Sequence, residues 1–274
     1  MQLFHLFVIF HTFASNYVPM LFSVITINRN NADGLRKTIA SVLSQDFSQY
    51  EYIVIDGAST DDSVQVAEDN AGSISAFVSE PDKGIYDAMN KGIRMAHGDY
   101  VIFMNSGDTF ADCRILSRVA ATAPAADFLI GGMRQRREGR HYTAVEMPAT
   151  VTAYALLYRN FCHQATFARR QVLLELGGYD LSVKVAADAC LLMLAAIVYR
   201  KTFATLPFCI CDYDVTGMSS HCINVVTAEK HDYFRRIAPN VYPDYVYAHR
   251  WLRLLPSNVL RVARLRITTL LSRF

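Results

Sequence analysis

From Leu21 onward, short apolar runs alternate with stretches whose apolar residues recur every three or four positions. The runs at 21–27, 52–55, 74–78 and 100–104 are rich in Ile, Val, Phe and Tyr and predict buried strands. Between them, 33–43, 63–69 and 85–96 predict helices; Leu35, Ile39 and Val42 line one side of the first, and Ile85, Met89 and Ile93 one side of the third. Strands alternating with helices indicate βαβ units on a mainly parallel sheet, an α/β fold. Three of these strands run into polar clusters, Thr26/Asn28, Asp56/Ser59 and Asn105/Asp108. In such sheets ligands bind beyond the carboxyl ends of the strands, so the clusters should meet in one cleft.

The second half is less regular. Strands are predicted at 127–133, 141–147, 162–168 and 202–213, and helices at 171–176, 186–199 and 225–237. The first two of these strands flank a basic loop with Arg134, Arg136, Arg137 and Arg140. The helix at 186–199 is apolar apart from Asp188, near its start. A carboxylate among apolar neighbours is costly without a partner or a task.

Composition narrows the classes. With 274 residues, 52% hydrophobic and 19% charged, the chain can bury a large core and is not disordered. A net charge of +2 gives no basis for nucleic-acid binding. The six cysteines are scattered, as expected of free thiols in a reducing, cytoplasmic compartment. Cys209, Cys211, His221 and Cys222 lack the knuckle spacing of a zinc site. The apolar stretch 1–19 is too short to span a membrane and lacks a basic signal region, so it reads as an extension preceding a start at Met20. At the other end, residues 245–274 carry six arginines among large apolar residues and no acid. Such a segment suits either a helix at an anionic membrane surface or a terminal helix packed on the core.

No glycine-rich phosphate loop follows the first strand, which argues against dehydrogenases and P-loop kinases. A phosphate-bearing ligand would then be neutralised by a carboxylate-held divalent metal, and Asp108 at a strand end is placed for it. The common alternative for such an Asp is a helix cap.

Several motifs occur in order: Ser23-Val24-Ile25-Thr26, Ser41-Val42-Leu43-Ser44-Gln45, Ile55-Asp56-Gly57-Ala58-Ser59-Thr60-Asp61, the run from Glu80 to Gly92, Gly98-Asp99-Tyr100 and Phe103 to Asp108. Together they resemble the donor-binding half of family 2 glycosyltransferases of the GT-A fold. Cys162-His163-Gln164-Ala165-Thr166-Phe167 resembles a strand of the bacterial colanic-acid and exopolysaccharide subgroup. The resemblance implies one GT-A domain at 20–244, with a nucleotide-sugar half to about residue 125, an acceptor half after it, and a basic helical tail at 245–274. It implies an inverting, metal-dependent transferase that moves a sugar from a UDP- or GDP-sugar to a saccharide or lipid-linked acceptor. The setting would be bacterial surface-polysaccharide or lipid-linked oligosaccharide assembly, at the inner face of the cell membrane.

Carried over by residue, Thr26, Asn28, Asp56 and Ser59 would line the nucleotide pocket. Asp82, Lys83 and Gly84 would close over the nucleotide, with Asn90 on the same side. Asn105, Ser106 and Gly107 would face the donor, and Asp108 would hold Mg²⁺ or Mn²⁺. Asn105 and Gly107 stand where the family commonly has acids, which implies weak metal affinity or a second ligand from elsewhere. His163 and Gln164 would face the acceptor, and Asp188 would be the general base, since inverting transfer needs one. Taken singly, Asp87 and Lys91 read as a helical surface pair, Asn90 as a loop bridge and Asp56-Gly57 as a plain turn. Two other functions stay open: a catalytically inactive nucleotide-sugar-binding or scaffold relative, and a nucleotidyltransferase.

Overall fold

The computed structural model describes residues 22–122, 125–136, 143–145, 147–148, 150–159, 161–214 and 222–254. The extension at 1–19, Met20, residues 216–219, His221 and the tail beyond Leu254 lie outside them.

Four parallel strands form one end of the sheet: β1 (Phe22–Asn28), β2 (Tyr50–Asp56), β3 (Ala76–Ser79) and β4 (Tyr100–Phe103). Every residue of β1 is buried, because helices cover both faces, and so the strand reads as a continuous apolar run. The other end is built from β5 (Thr109–Phe110), β6 (Phe128–Arg136), β7 (Thr143–Val145), β8 (Thr166–Arg169) and β9 (Phe203–Asp214). The order is β3-β2-β1-β4-β8-β6-β9-β5, with β7 on the edge of β6. The β4–β8, β8–β6, β9–β5 and β6–β7 pairs are antiparallel and β6–β9 is parallel, so only the first half of the sheet is uniformly parallel.

Helices α1 (Ala32–Leu43), α2 (Ser63–Asp69) and α4 (Ile115–Thr122) cover one face through Leu35, Ile39, Val66, Leu116 and Val119. On the other face lie α3 (Ile85–Met95), α5 (Ala153–Tyr158), α6 (Arg170–Glu175), α7 (Ala187–Ile197), α8 (Ile223–Ile237) and α9 (Tyr242–Leu254). Side chains such as Met89, Ile93, Leu156, Leu192 and Phe234 are essentially fully buried there, each contributing about 1.5–3 kcal/mol.

Three differences from the sequence expectation matter for the site. Residues 163–165 form a single 3-10 turn before β8 rather than the start of a strand. Successive strand residues point to opposite faces, whereas this turn lets His163 and Gln164 both reach the β4 end. The helices α4 and α5 were not anticipated; α5 is short and begins at Thr152, whose hydroxyl accepts from the Ala155 amide (3.1 Å). Finally, α9 runs through the expected boundary at 244/245. Tyr245 and Leu252 are buried, and the Tyr158 ring stacks on His249 at 3.8 Å, so the first part of the basic segment belongs to the packed body. Among the described residues no helix is long and apolar enough to cross a membrane.

Candidate active site

The parallel register sets Asn28 opposite Asp56, and Asp56 opposite Ser79, at the carboxyl ends of β1, β2 and β3. Asp56 is fully buried and its carboxylate is saturated. One oxygen accepts from Asn28 Nδ2 (2.7 Å) and Ser59 Oγ (2.5 Å), the other from the Ser59 amide (2.8 Å) and Ser79 Oγ (2.7 Å). Burial alone would raise the carboxyl's pKa, but donors from Ser59, Ser79 and Asn28 outweigh it and hold the value below the ordinary one. A carboxylate has about four acceptor positions, and all are taken. Asp56 therefore organises the pocket floor, its oxygens engaged by Asn28, Ser59 and Ser79. Asn28 retains a buried Oδ1 with no partner.

Thr26 is also engaged within the protein. It is fully buried, its hydroxyl 2.9 Å from Tyr52 Oη and donating to the Met104 carbonyl at 2.8 Å, so it braces β1 against its neighbours rather than lining the cleft. Asn90 is the loop bridge: its Nδ2 donates to the Tyr179 carbonyl (2.9 Å) and its Oδ1 accepts the Tyr179 amide (2.8 Å). Gly178 has φ +75° there, and a Cβ would sit 2.4 Å from Asn90 Oδ1, so the turn admits only glycine. Lys91 pairs with Asp82 (2.5 Å) and Glu80 (2.8 Å), not with Asp87, whose carboxylate accepts the Lys83 amide at 3.0 Å. Asp82 is thereby fixed above Gly57 at the β2 end, with Lys83 and Gly84 exposed beside it.

The Asn105–Asp108 turn follows β4. Thr38, buried on α1, holds it: its hydroxyl donates to the Asp108 carbonyl (2.7 Å) and accepts the Gly107 amide (3.0 Å). Gly107 supplies the required φ of +104°. Asp108 is only 7% exposed, and one carboxylate oxygen accepts from Gln164 Nε2 at 2.7 Å. Asn105 Nδ2 lies 3.0 Å from His163 Nε2, and His163 Nδ1 lies 3.0 Å from Asp188 Oδ2. Adjacent residues of one 3-10 turn thus tie Asp108 and Asp188, from opposite halves of the chain, into one site.

Burial would lower the His163 pKa, but the hydrogen bond and charge of Asp188 outweigh it and raise the value above the ordinary one. The neutral ring donates to Asp188 and accepts from Asn105. The charged ring needs an acceptor at Nε2, and turning the Asn105 amide supplies its Oδ1, which is buried without a partner. Behind the pair a cavity of about 20 Å³ is lined by Phe103, Phe161, Tyr179 and Leu191, closing the site with apolar surface.

Two residues given no role in the sequence reading, Tyr86 and Glu229, aim Asp188. Tyr86 Oη donates to the Val185 carbonyl (2.6 Å). The Glu229 carboxylate accepts the Lys184, Val185 and Ala186 amides at 2.9–3.0 Å, an acid at the positive end of α7. Thr38, Tyr86 and Glu229 act across long sequence separations, which periodicity does not report. The side chain of Asp188 remains 20% exposed, open to a reacting group. Among the described residues, no group of three or more His, Cys, Asp or Glu side chains converges as a ready-made metal cage.

Comparison with known proteins places the chain in a family. An uncharacterized glycosyltransferase of Mycobacterium tuberculosis is 34% identical over 204 residues, covering 73% of this chain and 77% of its own length. Staphylococcus aureus TarS in complex with UDP-GlcNAc superposes with a TM-score of 0.65 at 20% identity, over 81% of this chain and 66% of its own. The mannosyltransferase PcManGT from Pyrobaculum calidifontis, in complex with GDP-Man and Mn²⁺, gives 0.64 at 19% identity, over 90% of this chain and 74% of its own. The fold is that of the GT-A glycosyltransferases. The profile of Glycosyl transferase family 2 matches residues 23–173, from β1 through α6, including Asp56, Asp108, His163 and Gln164 but ending before Asp188. The chain belongs to glycosyl transferase family 2.

Proposed function

We propose that this protein catalyses inverting transfer of a sugar from a UDP- or GDP-sugar to a hydroxyl of a saccharide or lipid-linked acceptor. The setting is the assembly of surface polysaccharide or lipid-linked oligosaccharide at the inner face of the cell membrane. One observation carries the reading: His163 and Gln164 hold a candidate base, Asp188, and a candidate metal carboxylate, Asp108, in a single site. The nucleotide-sugars held by TarS and PcManGT support the donor class.

Donor binding falls to the strand ends. Asn28, Ser59, Asp82, Lys83 and Gly84 border the nucleotide, over the floor that Asp56 organises. Asn105, Ser106 and Gly107 face the diphosphate. The oxygen chemistry here fits Mg²⁺ or Mn²⁺: Asp108 offers a carboxylate, and Asn105 Oδ1 and Ser106 Oγ are buried without partners. A hard cation bound through one carboxylate plus substrate phosphates is an ordinary arrangement. When bound, it neutralises charge on the leaving diphosphate.

The acceptor hydroxyl attacks the anomeric carbon from the face opposite the diphosphate. A new C–O bond forms, the old one breaks, and its electron pair leaves with the nucleoside diphosphate. The Asp188 carboxylate takes the hydroxyl proton. His163 keeps Asp188 oriented, while the apolar wall behind them excludes water.

The inactive-relative reading has one observation in its favour, the engagement of Asp108 by Gln164. Retained donor binding with no turnover, and no effect of Asp188→Asn, would favour it; calorimetry with UDP, GDP, CMP and dTDP, with and without Mn²⁺, tests the donor site that the proposal requires. The proposal expects metal-dependent binding of one nucleotide that Asp108→Ala abolishes. A folded protein that binds none of them refutes it.

A further inference from the structure

Helix α9 has two apolar faces. Tyr245, His249 and Leu252, at helical spacing, pack inward; Tyr154 Oη lies 2.9 Å from His249 Nδ1, and the Phe234 ring is 5.1 Å from that of Tyr245. Tyr247, Trp251 and Leu254 repeat the same spacing on the outer side, where they are 65%, 59% and 76% exposed. The Tyr247 and Trp251 rings lie 6.4 Å apart, so the three form a continuous stripe. Arg250 and Arg253 are exposed beside it, and Asp244 in the first turn is the last acid of the chain.

Packing on the core accounts for the inner face and leaves the outer one unexplained. A contiguous Trp-Tyr-Leu stripe flanked by arginines combines aromatic rings that favour the headgroup level, an aliphatic residue that reaches deeper, and charge complementary to anionic lipid. The chain beyond Leu254 adds four more arginines and no acid, so it extends the same complementarity. We propose that the outer face of α9 is a docking surface for an anionic membrane, with Trp251 and Leu254 entering the interface and Arg250 and Arg253 contacting lipid phosphates. The helix packs in the same hydrophobic layer as α7, so docking presents the Asp188 side of the sheet to lipid-borne acceptors. This surface rests on the membrane setting proposed above and not on the transfer chemistry.

Trp251 is the sole tryptophan of the chain, so its fluorescence reports this face directly. The test adds phosphatidylcholine vesicles, with or without phosphatidylglycerol, to the full-length protein. The expected result is a shift of Trp251 emission to shorter wavelength and its quenching by acyl-brominated lipid, with phosphatidylglycerol only. Arg250→Gln and Arg253→Gln should each weaken partitioning about fivefold, and raised salt should reverse it. Leu254→Ser should reduce the emission shift while far-UV circular dichroism stays unchanged. Unchanged emission overturns the proposal, whether the protein stays in solution or sediments through another segment. So does blue emission without vesicles, which would mean that a second copy, if it grows with protein concentration, or the chain's own continuation, if it does not, covers the stripe. Transfer to a soluble acceptor by Leu254→Ser is measured separately, so failure of this surface leaves the sugar-transfer reading intact, and the reverse.

Discussion

The two halves of the molecule hold their functional side chains by different means. At the β1–β2–β3 end the backbone register does the work: Asn28, Asp56 and Ser79 are level because the strands are parallel and in step. On the Asp188 side the sheet is mixed, and the candidate residues sit in the 3-10 turn before β8 and the first turn of α7. There the Asp188 segment is held by side chains from elsewhere: Asn90 and Tyr86 from α3, Glu229 from α8, and His163 from the turn before β8. A register-built pocket suits a ligand part common to many donors. One held by side-chain contacts can be re-aimed by changing a few of them, as expected where acceptors differ.

If this division is right, substitutions on the two sides fail differently. The largest effect among the first three is expected at Asp108: Asp108→Asn should lower turnover by about 10²–10³, the scale of losing one charge-stabilising group, with the loss partly relieved by excess Mn²⁺. Steady-state rates across a Mn²⁺ series measure it, and turnover equal to wild type would remove Asp108 from the site.

Next comes Asp56→Asn, expected to cost about 3 kcal/mol of folding stability, because an amide places donors against donors in a buried site. The folded pKa of Asp56 is depressed, so its stabilisation is present above the ordinary carboxylate value and is lost as pH falls through the folded value. Urea titrations at several pH values should show the variant losing less stability than wild type on acidification; parallel curves would contradict the account.

The smallest of the three is His163→Asn, expected to slow turnover about tenfold with donor affinity unchanged. His163 has a raised folded pKa, so its charge-dependent stabilisation is complete below the ordinary histidine value and is lost as pH rises through the raised one. The variant should lack that loss. A variant that instead weakens nucleotide binding would blur the boundary between the halves.

The same contrast explains what was legible beforehand. Buried parallel strands are continuous apolar runs, so β1, β2 and β4 and the polar residues that end them could be read directly. Residue types at those ends did not reveal which contacts are internal: Thr26, Asp56 and Asn90 have ligand-like chemistry but spend it on other parts of the protein. His163 and Gln164 were expected near the acceptor, yet their joint reach to Asp188 and Asp108 depends on a 3-10 turn hidden in a strand-like sequence. Helix α4 was within reach, since Ile115, Leu116 and Val119 keep helical spacing. Glu229 sits in a polar stretch of α8 that gives no hint of the three amides it caps.

The central claim is that Asp188 acts on the acceptor proton while donor binding resides elsewhere. Single-turnover transfer by Asp188→Asn, with donor affinity measured on the same preparation, tests it most directly. The account predicts donor affinity within about threefold of wild type and a rate lower by about 10²–10⁴. A rate close to wild type at saturating donor and acceptor would show that Asp188 is not the base, and the division between the halves would fall with it.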